Sequence, residues 1–305
     1  MGGSGGGYFT SNIKELKNKI IITNNNIAVD EYESNVANLL LDLLSKYNNR
    51  DANAIKKHVG EILKAVENRI DEHLYIRFGG SVSKHTFVDG ISDIDTLLII
   101  NDTELSDKSP EVVKSIVADM IKERFKKTDI SIGKLAITVS FSDYEIQVLP
   151  ALKSGGKIMI PDISGNSWSK INTEIFTKNL TKINDINKSK VVPIIKLAKA
   201  IISNLPEKHR LSGYHVEALA VDIFNDYHNE NTSKIMLKHF FQQASQKVLS
   251  PIKDNTGQSI YVDEYLGIKN SLSRQLVSSA LDRVYRKLHN ADNFQSLETW
   301  KDIFE

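Results

Sequence analysis

Apolar residues recur at helical spacing twice near the start of the chain: Val36, Leu39, Leu40, Leu43 and Leu44, then Ile55, Val59, Ile62, Leu63, Val66 and Ile70. Asn48-Asn49 separates the two stretches, and Asp51 is placed to cap the second helix. Leu74 to Phe78 is short and strand-like and runs into Gly79-Gly80-Ser81. Ile94 to Ile100 is a continuous apolar run, predicted as a buried strand. Ser109-Pro110-Glu111 opens a helix through about Phe125, with Pro110 in the first turn. Leu135 to Phe141 and Tyr144 to Leu149 alternate about Ser142-Asp143 and predict a hairpin whose second strand ends at Pro150.

Beyond about residue 165 the pattern turns helical. Helices are predicted over Ile171–Leu180, Val191–Asn204, Tyr214–Tyr227, Ser233–Val248, Ser273–Leu288 and Leu297–Phe304, with a loop from Ser250 to Tyr261. The expected architecture is therefore α+β: a core over 8–165, counting its N-terminal helices, and a helical C-terminal lobe over 166–305. The first helix is free to pack along both. Residues 1–7, Met-Gly-Gly-Ser-Gly-Gly-Gly, read as a flexible linker or tag.

Composition narrows the function classes. The 305 residues are 41% hydrophobic and 25% charged, ordinary for a globular protein. There is no cysteine, which excludes thiol nucleophiles, iron–sulfur clusters and cysteine zinc sites. The histidines show no zinc-binding spacing. Lys+Arg of 39 against Asp+Glu of 38 leaves a net charge of +1, so stable binding to duplex nucleic acid by bulk charge is not expected. No apolar run is long enough to span a membrane, and a cytoplasmic location is the expectation.

The chemistry concentrates in the stretch from Phe78 to Asp95. Glycines after a strand let the backbone approach a ligand closely and expose N–H groups, and Ser81 adds a hydroxyl donor. That arrangement suits a triphosphate. Asp93 and Asp95 sit two apart at the start of the next strand, so alternation puts both carboxylates on one face. Two such carboxylates are costly without a cation, and hard oxygen donors suit Mg²⁺ shared with substrate phosphates.

The order strand, Gly-Gly-Ser, spacer, Asp-x-Asp, apolar strand resembles the DNA polymerase β-like nucleotidyltransferase superfamily. Within it, Gly80-Ser81 and Ser92-Asp93-Ile94-Asp95 resemble the bacterial cGAS/DncV-like nucleotidyltransferases (CD-NTases) and the oligoadenylate synthetases. So do Ile146 to Ala151, Val192 to Lys199 and Leu211 to Glu217. The resemblance implies a nucleotidyltransferase core with a mixed sheet, a helical lobe and an active site in the cleft between. It implies that Gly80, Ser81, Lys199 and Ser212 bind the donor triphosphate and that Asp93 and Asp95 hold two Mg²⁺ ions, with Mn²⁺ a substitute. The substrates implied are NTPs such as ATP, the product a cyclic or short oligonucleotide messenger in antiphage (CBASS) defence, and a regulatory protein activator a partner.

One departure stands out. The resemblance expects a third acid where this chain has Gln147, three residues before Pro150, and Glu145 lies two residues earlier on the same strand face. Glu145 is the candidate third catalytic, metal-holding acid, with Gln147 beside the nucleotide; the rival is a weakened enzyme that binds nucleotide as a sensor. Transfer to RNA or to a protein is a further alternative. His85 near the phosphate loop, the basic helix end at Lys122, Arg124, Lys126 and Lys127, and Trp168 as a junction anchor are read as solvated or structural.

Overall fold

The computed structural model describes residues 29–67, 74–101, 104–105, 107–155, 157–162, 164–170, 173–254 and 260–305. The expectations for residues 1–7, Ile70 and Ile171 lie outside them.

A helix, α1, runs over 29–47. After it come α2 (Ala52–Glu67), β1 (Leu74–Phe78), a one-turn α3 (Gly80–Ser83), β2 (Ile94–Asn101), α4 (Pro110–Arg124), β3 (Asp129–Ile132), β4 (Ile137–Ser140), β5 (Glu145–Ser154), β6 (Lys157–Pro161) and β7 (Trp168–Lys170). The rest is helical: α5 (Thr173–Ile186), α6 (Val191–Ser203), α7 (Gly213–Phe224), α8 (Ser233–Lys247), α9 (Leu272–Asn293) and α10 (Leu297–Asp302). The capping signals act as the sequence predicts. The Asp51 carboxylate accepts from the N–H groups of Asn53 and Ala54, and Ser109 caps α4 ahead of Pro110.

The sheet is mixed. Its main order is β1-β2-β5-β4-β3, with β6 on β5 and β7 on β6. The central pair, β2 with β5, is parallel, and Asp95 stands opposite Gln147. Even-numbered residues of these strands, Ile94, Leu98 and Ile100 with Ile146, Val148 and Leu152, join α2 and α4 in one core. The odd face carries Asp95 and Gln147 at its leading end and then a small apolar group of Ile99, Ala151 and Ile160. Helices α1 and α5–α10 enclose a second, larger core.

One sequence expectation is corrected, and two features go beyond the rest. Pro150 does not end its strand: β5 continues to Ser154, with Pro150 paired to Leu98. The bond from Phe141 N–H to Tyr144 O closes the hairpin, and by alternation the even residues of β5 direct their N–H groups away from β2. On that edge β4 stops at Val148 and β6 begins at Leu152, so Pro150 falls in the gap, where a missing N–H costs no ladder bond. The short strands β3, β6 and β7 were unforeseen, and Trp168 lies on β7, its indole donating to Lys108 O at 2.8 Å. Arg124, at the basic helix end in the last turn of α4, also pairs with Glu61 of α2 and holds that carboxyl down to about 2.

Chain order and packing part at α1. Its residues Tyr32, Val36, Leu40 and Tyr47 are buried in the helical core, not against the sheet, while α2 belongs to the sheet core. Leu40 is fully buried there. Leu40→Ala should cost about 2–5 kcal/mol by lost burial and a cavity. Chemical denaturation checks the value, and a change below about 1 kcal/mol would mean α1 is not part of the core.

Candidate active site

The site starts where β1 ends. Gly79 N–H bonds Asp95 O at 2.9 Å, which brings the loop against β2. Gly80 follows with φ +45°, and a Cβ there would collide with the Asp95 carboxylate. Glycine is thus required twice at this position, for the left-handed backbone and for the close approach. The chain then makes the single turn of α3 and returns through His85 at φ +59°, with the N–H groups of Thr86 and Phe87 both on Ser81 O. His85 is exposed, as expected.

Asp93 and Asp95 are brought together on the cleft side of the sheet. Burial raises both carboxyls above the usual range. At Asp95 the Ser81 N–H and Lys84 oppose this, while Asp93 and Glu217 add to it. Neither acid forms an ion pair among the described residues. Gln147 lies beside them and donates from Nε2 to Asp93 at 2.9 Å. Glu145 stands apart: it is exposed at the first position of β5, one strand repeat of roughly 6.5–7 Å from Gln147. No group of three acidic or histidine side chains able to hold a metal forms among the described residues.

The opposite wall comes from the lobe. Lys199 projects from α6 and lies against Gly213, the first residue of α7. Its ammonium donates to Glu217 Oε1 at 2.8 Å and to Thr86 O at 3.1 Å. Ser212 is exposed and caps α7, its hydroxyl accepting from His215 N–H at 3.2 Å, and its own N–H donates to the Tyr265 hydroxyl at 3.1 Å. The N-terminus of a helix of this length is a favourable place for phosphate.

These walls enclose a cleft of about 430 Å³. Its lining includes Gly80, Ser81, Asp93, Asp95 and Lys199. Ser212 and Gln147 border it without lining it. The Ser81 hydroxyl is buried and without a partner among the described residues, a free donor for a ligand oxygen. The donor set fits a divalent cation: an exposed and a half-buried carboxylate side by side, no ion pair to either among the described residues, and room for phosphate oxygens to complete the shell.

Sequence reasoning passed over Lys84, Thr86, Arg210 and Glu217. Lys84, Arg210 and Glu217 all line the cleft, Glu217 as a buried part of its wall. Lys84, Thr86 and Glu217 lay inside motifs already singled out, but nothing in the sequence says that they meet.

With this geometry in place, comparison with known proteins is decisive. Residues 32–184, half of the chain, match the family model for the Second Messenger Oligonucleotide or Dinucleotide Synthetase domain. The chain belongs to this family. No curated protein matches it by sequence. Among solved structures, this synthetase is similar to CdnC of E. coli MS115-1 in its complex with HORMA. The TM-score is 0.64 at 14% identity, over 83% of this chain and 90% of that one. It is similar to the STING-associated CdnE c-di-GMP synthase of Capnocytophaga granulosa, with a TM-score of 0.59 at 17% identity, over 91% and 93%. DncV, the Vibrio cholerae cyclic AMP-GMP synthase, gives 0.56 at 12% identity, over 94% and 86%. These likenesses establish the fold of a bacterial cGAS/DncV-like enzyme, as the sequence motifs implied. The synthetase is a nucleotidyltransferase, and its family-matched region carries Gly80 to Gln147, while Lys199, Ser212 and Glu217 lie beyond it. No described helix is long and apolar enough to cross a membrane.

Gly80→Ala tests the close approach directly. The added methyl has nowhere to go but through Asp95, so NTP turnover should fall on the order of a hundredfold or more, as for other active-site displacements of about 1 Å. Steady-state kinetics beside a melting curve checks it.

Proposed function

We propose that this synthetase joins nucleoside triphosphates into a cyclic or short oligonucleotide messenger without a template. The observation that carries the reading is one cleft with two acids on the sheet side and the Ser81 hydroxyl, Lys199 and the α7 N-terminus around it. Its volume falls in the range of about 300–1,000 Å³ usual for small-ligand sites.

In this reading the Gly80 N–H and the Ser81 hydroxyl bind the β- and γ-phosphates, and Ser212 with the first turn of α7 binds the same group from the lobe. Lys199 supplies positive charge. Asp93 and Asp95 would hold Mg²⁺, with Mn²⁺ meeting the same donors. The ions, when bound, activate the attacking hydroxyl and neutralise charge on the transferring phosphate. Gln147 keeps Asp93 turned towards the cleft through its amide. An acceptor ribose hydroxyl attacks the α-phosphate and pyrophosphate leaves. The walls orient the two nucleotides, which accounts for much of the acceleration such a reaction needs. The near-neutral chain favours small substrates over long nucleic acid, since each neutralised phosphate of a polymer calls for a cation. An antiphage role and regulation by a protein, as the CdnC:HORMA complex illustrates for its relative, complete the proposal.

Incubation of the pure protein with the four labelled NTPs and Mg²⁺ tests it. Phosphatase-resistant small products with pyrophosphate are expected. Bound but unconverted nucleotide would mean a sensor, and label found only on added RNA or protein would mean a different transferase.

Two substitutions examine the acids. Asp95→Asn keeps the bond from Ser81 N–H and removes a buried charge, so the melting temperature should hold or rise while turnover drops on the order of a thousandfold. Glu145→Gln against Gln147→Ala separates the candidates on β5. From their placement the Gln147 change should be the more damaging, and the reverse order of turnover would make Glu145 the third acid.

A further inference from the structure

We infer that Glu217 is a positioning residue for the transfer: its one buried carboxylate fixes Lys84 and Lys199 side by side on the wall of the cleft, facing an entering triphosphate. The inference deepens the proposed reading of this cleft and rests on it.

Glu217 sits on α7 and is 1% exposed. Oε1 accepts from Lys199 Nζ at 2.8 Å and from the Thr86 hydroxyl, and Oε2 accepts from Lys84 Nζ. Both oxygens are engaged within the protein and almost nothing of the side chain is exposed, so its effect on a ligand runs through the two lysines. Lys84 is held on a second side by aromatic faces, its ammonium 5.1 Å from the Phe176 ring and 5.0 Å from the Tyr214 ring. Lys84 lines the cleft together with Ser81, Asp95 and Lys199. It is thus a second phosphate-facing lysine, supplied by the core where Lys199 is supplied by the lobe.

The chemistry explains why one acid serves two bases. A buried lysine with no counter-charge sheds its proton, and two neighbouring lysines do so more readily. Burial pushes Lys199 down, and Glu217 opposes it. Burial alone would raise Glu217, yet Lys199 and Lys84 hold its carboxyl below the usual range. The other charges facing Lys199 are Asp95 from β2 and Lys84, and Lys196 is its neighbour along α6. The three-residue group keeps a net positive charge, which a triphosphate can use.

Titration of the full chain with whichever NTP it binds tightest, and with the matching nucleoside, tests this. Glu217→Gln keeps the shape and removes the charge. At about pH 8.5 the variant should bind the NTP about tenfold or more weaker than the native chain; at about pH 6, where Lys199, pushed down by burial, takes its proton more readily, the loss should stay under about threefold. Nucleoside affinity should match the native chain at both. An equal loss at the two pH values, or a loss shared by the nucleoside, would make Glu217 a structural residue and overturn the inference. Should Glu217→Gln fail to fold, Lys84→Met reads the same arrangement: NTP affinity falls about tenfold with the nucleoside unaffected. Unchanged NTP affinity in Lys84→Met overturns it. A native chain that binds no NTP overturns the proposed function first, and the inference with it.

Discussion

Phe87 and Val88 are adjacent in the chain and buried in different cores. Phe87 packs under the sheet and Val88 packs into the helical lobe. This divided burial is the constraint on which the site depends. It pins the segment after α3 to both bodies at once, so that the loop carrying Gly80 and Ser81 cannot move with one and leave the other. Each fully buried side chain contributes roughly 1.5–3 kcal/mol that would be lost on separation. Thr86, one residue earlier, adds a polar tie to Glu217 of α7. The cleft between sheet and lobe is therefore a built feature of the fold.

The electrostatics follow from that pinning. The sheet offers its odd face to the cleft, and its leading end carries Asp93, Asp95 and Gln147. The lobe answers with Lys199 and the start of α7, while Lys84 from the core reaches across to Glu217. Opposite charges line the walls without cancelling each other across the gap. Glu217 satisfies the lysines, and Asp93 and Asp95 keep raised carboxyls and form no ion pair among the described residues. A substrate carrying phosphates, with divalent ions, completes both sides.

Much of the fold was legible because local rules and tertiary packing agree. The helical repeats of α6 to α9 bury the residues their spacing selects. Asp51, Ser109 and Pro110 begin helices where capping chemistry places them. The readings failed where an element is too short to show a period, as in β3, β6 and β7, or where a local rule met a particular neighbourhood. Pro150 is the instructive case: proline ends a strand only if its N–H is wanted, and the gap between β4 and β6 wants none.

For the site, sequence alone determined which residue types could do the chemistry. The two-residue spacing of Asp93 and Asp95 sets their common face by backbone geometry, and Gly80 must be glycine because its φ and the Asp95 carboxylate leave no room for a Cβ. The first is a local property of one segment, read without any packing; the second needs the tertiary structure, which brings the Gly80 loop against Asp95. Which residue stands opposite Asp95 is a matter of strand register, and the parallel pairing of β2 with β5 placed Gln147 there and left Glu145 outside. Likewise no spacing relates Lys84, Lys199 and Glu217, which come from a loop and two helices. Only the joining of two cores brings them within hydrogen-bonding distance, because their meeting depends on where distant apolar surfaces are buried.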